Sequence, residues 1–170
     1  MTPELAILFR DVGCFDISMG LESGSQRILD DMQKQMDVRK AAENIRGVLK
    51  AGITIHATFI VGMPTETVES IKDTLDYIKY TGLQYVAAGI LTPFPDTRIY
   101  TLAKERGLIP DDDRYCTNLG RVYEFPYVNL TEYSDSQLLA WRDQIDALSG
   151  QSEMVLDSGF NREKEALVQL

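Results

Sequence analysis

An α/β fold with parallel strands follows from three features of the sequence. Strand-like alternation of apolar and polar residues recurs three times, each stretch is followed by apolar residues at helical spacing, and the connections between them are short. Strand–helix–strand units of this kind join parallel strands through right-handed crossovers. An open sheet and a βα barrel both meet that description. In both, chemistry gathers where the carboxyl ends of the strands meet the loops that follow them.

The first strand runs from Phe15 to Glu22, with Phe15, Ile17, Met19 and Leu21 on one face and Asp16, Ser18, Gly20 and Glu22 on the other. The stretch "GLESGSQRILDDMQK", residues 20–34, leaves this strand with a carboxylate, turns on Gly24 between Ser23 and Ser25, and opens a helix. Gly24 is expected there for a backbone dihedral that other residues resist. Val38, Ala41, Ala42, Ile45, Val48 and Leu49 then mark a helix, with Asp37 as its N-cap and Gly52 as its stop. "TIHATFIVG" is the second strand, setting Ile55, Ala57, Phe59 and Val61 against Thr54, His56, Thr58 and Ile60. Val68, Ile71, Leu75 and Ile78 line the next helix, which ends near Gly82. "YVAAGILT" is the third strand, and Ile99, Leu102 and Ala103 predict a short helix before Gly107.

The loops at the three strand ends are "ESGSQ", "GMPTET" and "TPFPDT", so the unusual stretches of residues 1–109 all fall at one end of the sheet. Residues 110–133 read as an irregular connector in which Tyr115, Tyr123, Tyr127 and Tyr133 serve surface packing. Residues 134–170 hold a final helix, opened by a capping box of Ser134 and Gln137 and carried by Leu138, Trp141, Ile145 and Leu148, followed by a polar tail.

A net charge of −9 without a basic cluster argues against a nucleic-acid or anionic-membrane surface. No apolar run is long enough to span a bilayer, and the start lacks the basic flank and apolar core of a signal peptide. Cys14 and Cys116 lack metal-ligand spacing and read as reduced thiols of a cytoplasmic protein; the metal-ligand set expected of this chain is therefore empty. His56, the single histidine, is expected to be a satisfied interior residue.

"GLESGS", "GMPTET" and "LTPFPDT", in this order and each beside a strand end, resemble the second half of a radical S-adenosylmethionine enzyme, from about Pro3 to Ile109. The subgroup it most resembles is the cobalamin-associated one that includes anaerobic magnesium-protoporphyrin IX monomethyl ester cyclases. The resemblance implies the second half of a six-stranded parallel βα barrel with a C-terminal helical extension. It also implies a parent enzyme that binds S-adenosylmethionine and a [4Fe-4S] cluster and generates a 5′-deoxyadenosyl radical, as a cyclase-like oxidoreductase or a methyltransferase on a small-molecule substrate. A cobalamin domain is compatible with the subgroup.

The family's cluster-binding CxxxCxxC is absent from this sequence, so the resemblance implies a truncated piece without catalytic residues, inactive alone. Severed strand edges then invite homodimerisation. A stand-alone, non-catalytic βα domain for binding or assembly is the alternative.

Carried onto these residues, the resemblance assigns Glu22 to the ribose hydroxyls, with Ser23 beside it, and Lys34 to the methionyl carboxylate. Thr58 falls near the adenosine. Gly62 and Pro64 shape a ledge against the adenine, and Leu91 and Thr92 approach its edge. Thr65 and Asp96 stand where the family carries glycine. Aspartate tolerates left-handed geometry better than most residues, which suits Asp96 to that position.

Overall fold

A computed structural model describes residues 1–119 and 125–150 of the chain. Tyr123 and the polar tail lie outside the described residues. Strands β1 (Asp16–Glu22), β2 (Thr54–Val61) and β3 (Tyr85–Ile90) form a parallel sheet in the order β1-β2-β3. Among the described residues the helices are α1 (Pro3–Asp11), α2 (Gln26–Asp31), α3 (Val38–Lys50), α4 (Val68–Thr81), α5 (Arg98–Glu105), α6 (Asp112–Asn118) and α7 (Asp135–Asp146). Each strand is the one expected from its alternation, within a residue or two at its ends.

The alternation decides which face of the sheet is covered. Leu21, Ile55, Ala57, Phe59, Val61, Val86, Ala88 and Ile90 lie in one core with residues of α3, α4 and α7. Each fully buried aliphatic or phenyl side chain there contributes about 1.5–3 kcal/mol relative to exposure. The other face, which includes Ser18, Gly20, His56, Thr58, Tyr85 and Ala87, is open. His56 is therefore exposed rather than interior, its ring stacked on Tyr85 at 5.0 Å. The strand register makes them neighbours: Ser18 pairs with His56, and His56 with Tyr85.

Local signals set the helix ends. Asp37 accepts from the Lys40 amide at 2.8 Å, and Gly82, at φ 76°, closes α4. Thr67 and Ser70 form a reciprocal capping box at the start of α4. At α7 the Ser134 hydroxyl accepts from the Gln137 amide at 3.2 Å.

Two features depart from the sequence-based expectations. The connector is not wholly irregular, because Asp111 caps the short helix α6. Its Tyr115 joins Tyr100, Ala103, Ile109, Val128 and Leu130 in a second apolar cluster. The β3 edge is also covered: Asp146 accepts from the Ala88 amide at 2.7 Å and Ser149 from the Val86 amide at 3.3 Å. The expectation of two open strand edges therefore does not hold at β3.

Candidate functional site

The site starts at the end of β1. The β1–β2 register is irregular between Gly20 and Glu22, and Glu22 takes φ 65°, the left-handed region. Such a conformation costs a non-glycine residue on the order of 1 kcal/mol or more and persists where the surroundings enforce it. It folds the Glu22 side chain back over Gly20, where an added Cβ would stand 2.5 Å from Glu22 Oε1. Glycine at position 20 thus makes room for the carboxylate.

Lys34 reaches the same carboxylate from the end of α2. Gln33 takes φ 57°, its amide donates to Asp30 O and the Lys34 amide to Leu29 O, the two bonds of a Schellman C-cap. This returns Lys34 toward β1. Its Nζ donates to Glu22 Oε1 at 2.8 Å and also to the Gly20 carbonyl. Glu22 Oε2 has no hydrogen-bond partner among the described residues.

Glu22 overlooks a cavity of about 380 Å³ on the open face of the sheet. Thr58, Ile60, Ala87, Gly89, Leu91 and Thr92 are among its lining residues. Gly20, Thr58 and Ala87 form one row across the three strands, and the small side chain of Ala87 keeps the floor low. An apolar floor with a few convergent polar groups is the usual make-up of a small-molecule site.

The β2 loop stands behind this cavity. Gly62 takes φ 106°, and its amide donates to Glu66 Oε2 at 3.4 Å. Ser70 donates to the other Glu66 oxygen. Glu66 is buried, and burial raises its carboxyl above the ordinary 4.5, against the opposing effect of these bonds and of Arg27. Arg27 also donates to Thr65 O at 2.6 Å and to Thr67 Oγ1 at 3.3 Å. Thr65 does not take a left-handed conformation, so its position needs no glycine, and its hydroxyl donates to Asp31.

The β3 loop is held from two sides. The Leu91 amide continues the ladder by donating to Val61 O at 2.8 Å. The buried hydroxyl of Tyr115, whose pKa burial pushes up to about 12, donates to Pro93 O at 2.7 Å. Asp96 takes φ 66°, the left-handed geometry expected of it.

Of the eight residues expected at the cofactor, Glu22, Thr58, Leu91 and Thr92 line the one cavity, and Lys34 joins them through Glu22. Pro64 lines a second cavity, of about 300 Å³, which shares Ile60 and Leu91 with the first. Gly62 is buried beside Leu91, shaping the loop rather than lining either cavity. Ser23 is 3% exposed, and its hydroxyl is bonded to Thr74 Oγ1 at 3.2 Å and to the Ser25 amide at 3.1 Å. Its side chain therefore stitches the turn to α4 and is directed away from the cavity.

Sequence reasoning missed Glu66 and the docking of Tyr115. The signal for Glu66 was present: a carboxylate four residues after a loop glycine and four before a serine in the first turn of α4.

The thiols do not come together. Cys14 lies between α1 and β1, at the amino end of the strand, and Cys116 is exposed on α6. Among the described residues no group of three or more histidine, cysteine or acidic side chains is arranged to hold a metal ion. The chain's own donors do not fit an iron–sulfur cluster, which needs several thiolates in one place. Glu22 Oε2 is an acceptor without a hydrogen-bond partner among the described residues, beside a cavity whose lining is largely apolar.

Residues 1–78 match the profile of the Radical SAM superfamily. Among curated proteins, an uncharacterized methyltransferase of Pyrococcus horikoshii is 29% identical over 62% of this chain and 23% of its own length. The bacteriochlorophyllide d C-12(1)-methyltransferase of Chlorobaculum tepidum is 33% identical over 68% of this chain and 25% of its own length. An anaerobic magnesium-protoporphyrin IX monomethyl ester cyclase of Cereibacter sphaeroides is 30% identical over 66% of this chain and 18% of its own length. The chain thus spans a quarter or less of the length of each of these relatives.

Proposed function

We propose that this chain is the nucleoside-binding, carboxyl-terminal half of a radical S-adenosylmethionine catalytic barrel, and that its parent is a methyltransferase or a cyclase-like oxidoreductase. The observation that carries this reading is the carboxylate of Glu22, held at a strand end with one oxygen uncommitted above a cavity of about 380 Å³. A carboxylate oxygen accepts from the hydroxyls of a ribose, and a low apolar floor suits an adenine ring. Glu22 takes the ribose, Thr58 offers a hydroxyl beside it, and Leu91 and Thr92 bound the adenine edge. When bound, S-adenosylmethionine supplies a carbon–sulfur bond whose reductive cleavage yields a carbon radical.

The cluster that delivers the electron needs cysteines from a part of the parent outside these 170 residues, so the chain alone is inactive. The parent acts in the cytoplasm on a small molecule; the names of the relatives from Chlorobaculum and Cereibacter favour a tetrapyrrole, and a cobalamin domain belongs to the same reading. A second reading, an assembly domain that pairs with another copy, is favoured by the apolar residues exposed along α1.

NMR titration of the chain with S-adenosylhomocysteine tests the first reading. Amide shifts confined to Gly20, Glu22, Thr58, Ala87, Leu91 and Thr92 are expected. An unchanged spectrum at millimolar ligand would reject nucleoside binding here.

A further inference from the structure

We propose that the second cavity is the subsite of the molecule that meets the nucleoside, and that it takes an apolar body bearing one carboxylate, received by Arg98. The proposal rests on the nucleoside reading above and names the substrate class that goes with it. Two bound molecules react only where they touch, so the second ligand needs a site that adjoins the first. The cavity of about 300 Å³ meets this condition, because Ile60 and Leu91 line both it and the cavity that Glu22 overlooks.

Its walls are held in place without a ligand. Asp31 at the end of α2 accepts from the Thr65 hydroxyl, and Arg27 of the same helix donates to Thr65 O at 2.6 Å, so α2 and the β2 loop form one wall. The start of α5 forms another: Thr97 Oγ1 donates to Phe94 O at 2.6 Å and accepts from the Tyr100 amide at 3.2 Å. A pocket preformed in this way loses little affinity to ordering. Met32, Met63, Pro64, Ile99 and Leu102 make the lining largely apolar, and the two methionines adapt to the outline of a ligand.

Two charged side chains border the cavity, Asp31 and Arg98. Asp31 and Arg27 meet on Thr65, and their charges offset each other there. Arg98 has no ion pair or hydrogen bond among the described residues. It is the first residue of α5, at the positive end of the helix dipole, so the helix adds to its charge rather than compensating it. An uncompensated guanidinium bordering an apolar cavity suits a ligand whose carboxylate it can grip with two parallel hydrogen bonds.

Titration of the full chain with 2-naphthoate and with the uncharged 2-naphthamide, followed by NMR, tests this. 2-Naphthoate is expected to shift the methyl resonances of Met32 and Met63 and the amides of Arg98 and Ile99, and to bind about tenfold more tightly than 2-naphthamide. Arg98→Gln is expected to remove that preference while both probes still shift the two methionines. Equal binding of acid and amide to wild type would overturn the proposal, as would shifts centred on Lys34 or none at either methionine.

S-adenosylhomocysteine separates this site from the nucleoside reading. Its expected shifts leave Met32 and Met63 undisturbed, and 2-naphthoate binds alongside it. Displacement of 2-naphthoate by S-adenosylhomocysteine, with both methionines shifted by the nucleoside itself, would assign the second cavity to the nucleoside and overturn the proposal. A chain that prefers 2-naphthoate through Arg98 and ignores S-adenosylhomocysteine would reject the nucleoside reading and leave the acid site standing.

Discussion

Asp96 stands where the resembling loops carry glycine, and its φ of 66° means that an L side chain sits in left-handed geometry. Asp96→Gly is expected to stabilise the fold by about 0.5–1 kcal/mol, and Asp96→Val to destabilise it by about 1–2 kcal/mol, because a β-branched side chain resists that region most. Urea unfolding measures both, and equal midpoints for the two variants would contradict the backbone argument. Glu66 gives a second prediction at this scale. Burial raises its carboxyl above the ordinary 4.5, so the folded chain holds this proton more tightly than the unfolded chain. The folded state then binds more protons, and the associated stability is complete below pH 4.5 and lost as pH rises through the raised value. Glu66→Gln, which keeps an oxygen acceptor but does not titrate, is expected to lack this decline. Thermal midpoints recorded upward from pH 4.5 should fall more in wild type than in the variant; parallel curves would count against it.

Gly24 shows how one element constrains another. The sequence suggested a need for unusual backbone dihedrals, yet Gly24 is not among the residues at positive φ. Its requirement comes from α4: an added Cβ would stand 2.5 Å from Tyr77 Cβ and 2.7 Å from Thr74 Cα. The Gly24 amide also donates to Thr74 Oγ1 at 3.0 Å, fixing the β1 turn against the helix. Gly24→Ala is therefore expected to cost about 1–3 kcal/mol, since backbone and not only a mobile side chain must shift. A variant that unfolds at the wild-type denaturant midpoint would show that this contact is looser than drawn. The helix α6 carries a similar lesson. Its seven residues look irregular in isolation, and they are anchored by the Tyr115 hydroxyl on Pro93 and by the cluster around Tyr100.

At the scale of the whole molecule the two edges of the sheet are unequal. The side chains of Asp146 and Ser149 occupy the β3 edge, whereas α1, which packs on α3, exposes Leu5, Ile7 and Leu8, and Val12 just after it is 84% exposed. We propose that self-association, where it occurs, uses the α1 side. Sedimentation over a concentration series is expected to show dimer for wild type and monomer for Leu8→Lys. A strict monomer throughout, or a dimer unaffected by the substitution, would reject this.

The strands, their parallel order of use, the long helices and the clustering of three loops at one end were legible in the residues. Those features depend on periodicity and on local punctuation: the alternation from Ile55 to Val61, the caps at Asp37 and Ser134, the stop at Gly82. Four of the eight expected site residues follow the same logic: a strand end and its loop carry Glu22, Leu91 and Thr92 to the cavity, and the alternation of β2 turns Thr58 to the same face. The inward turn of Ser23, the exposure of His56 and the closure of the β3 edge depend instead on distances between segments far apart in the chain. Local pattern specifies which face a side chain takes, while the helix or strand that meets that face is chosen by packing.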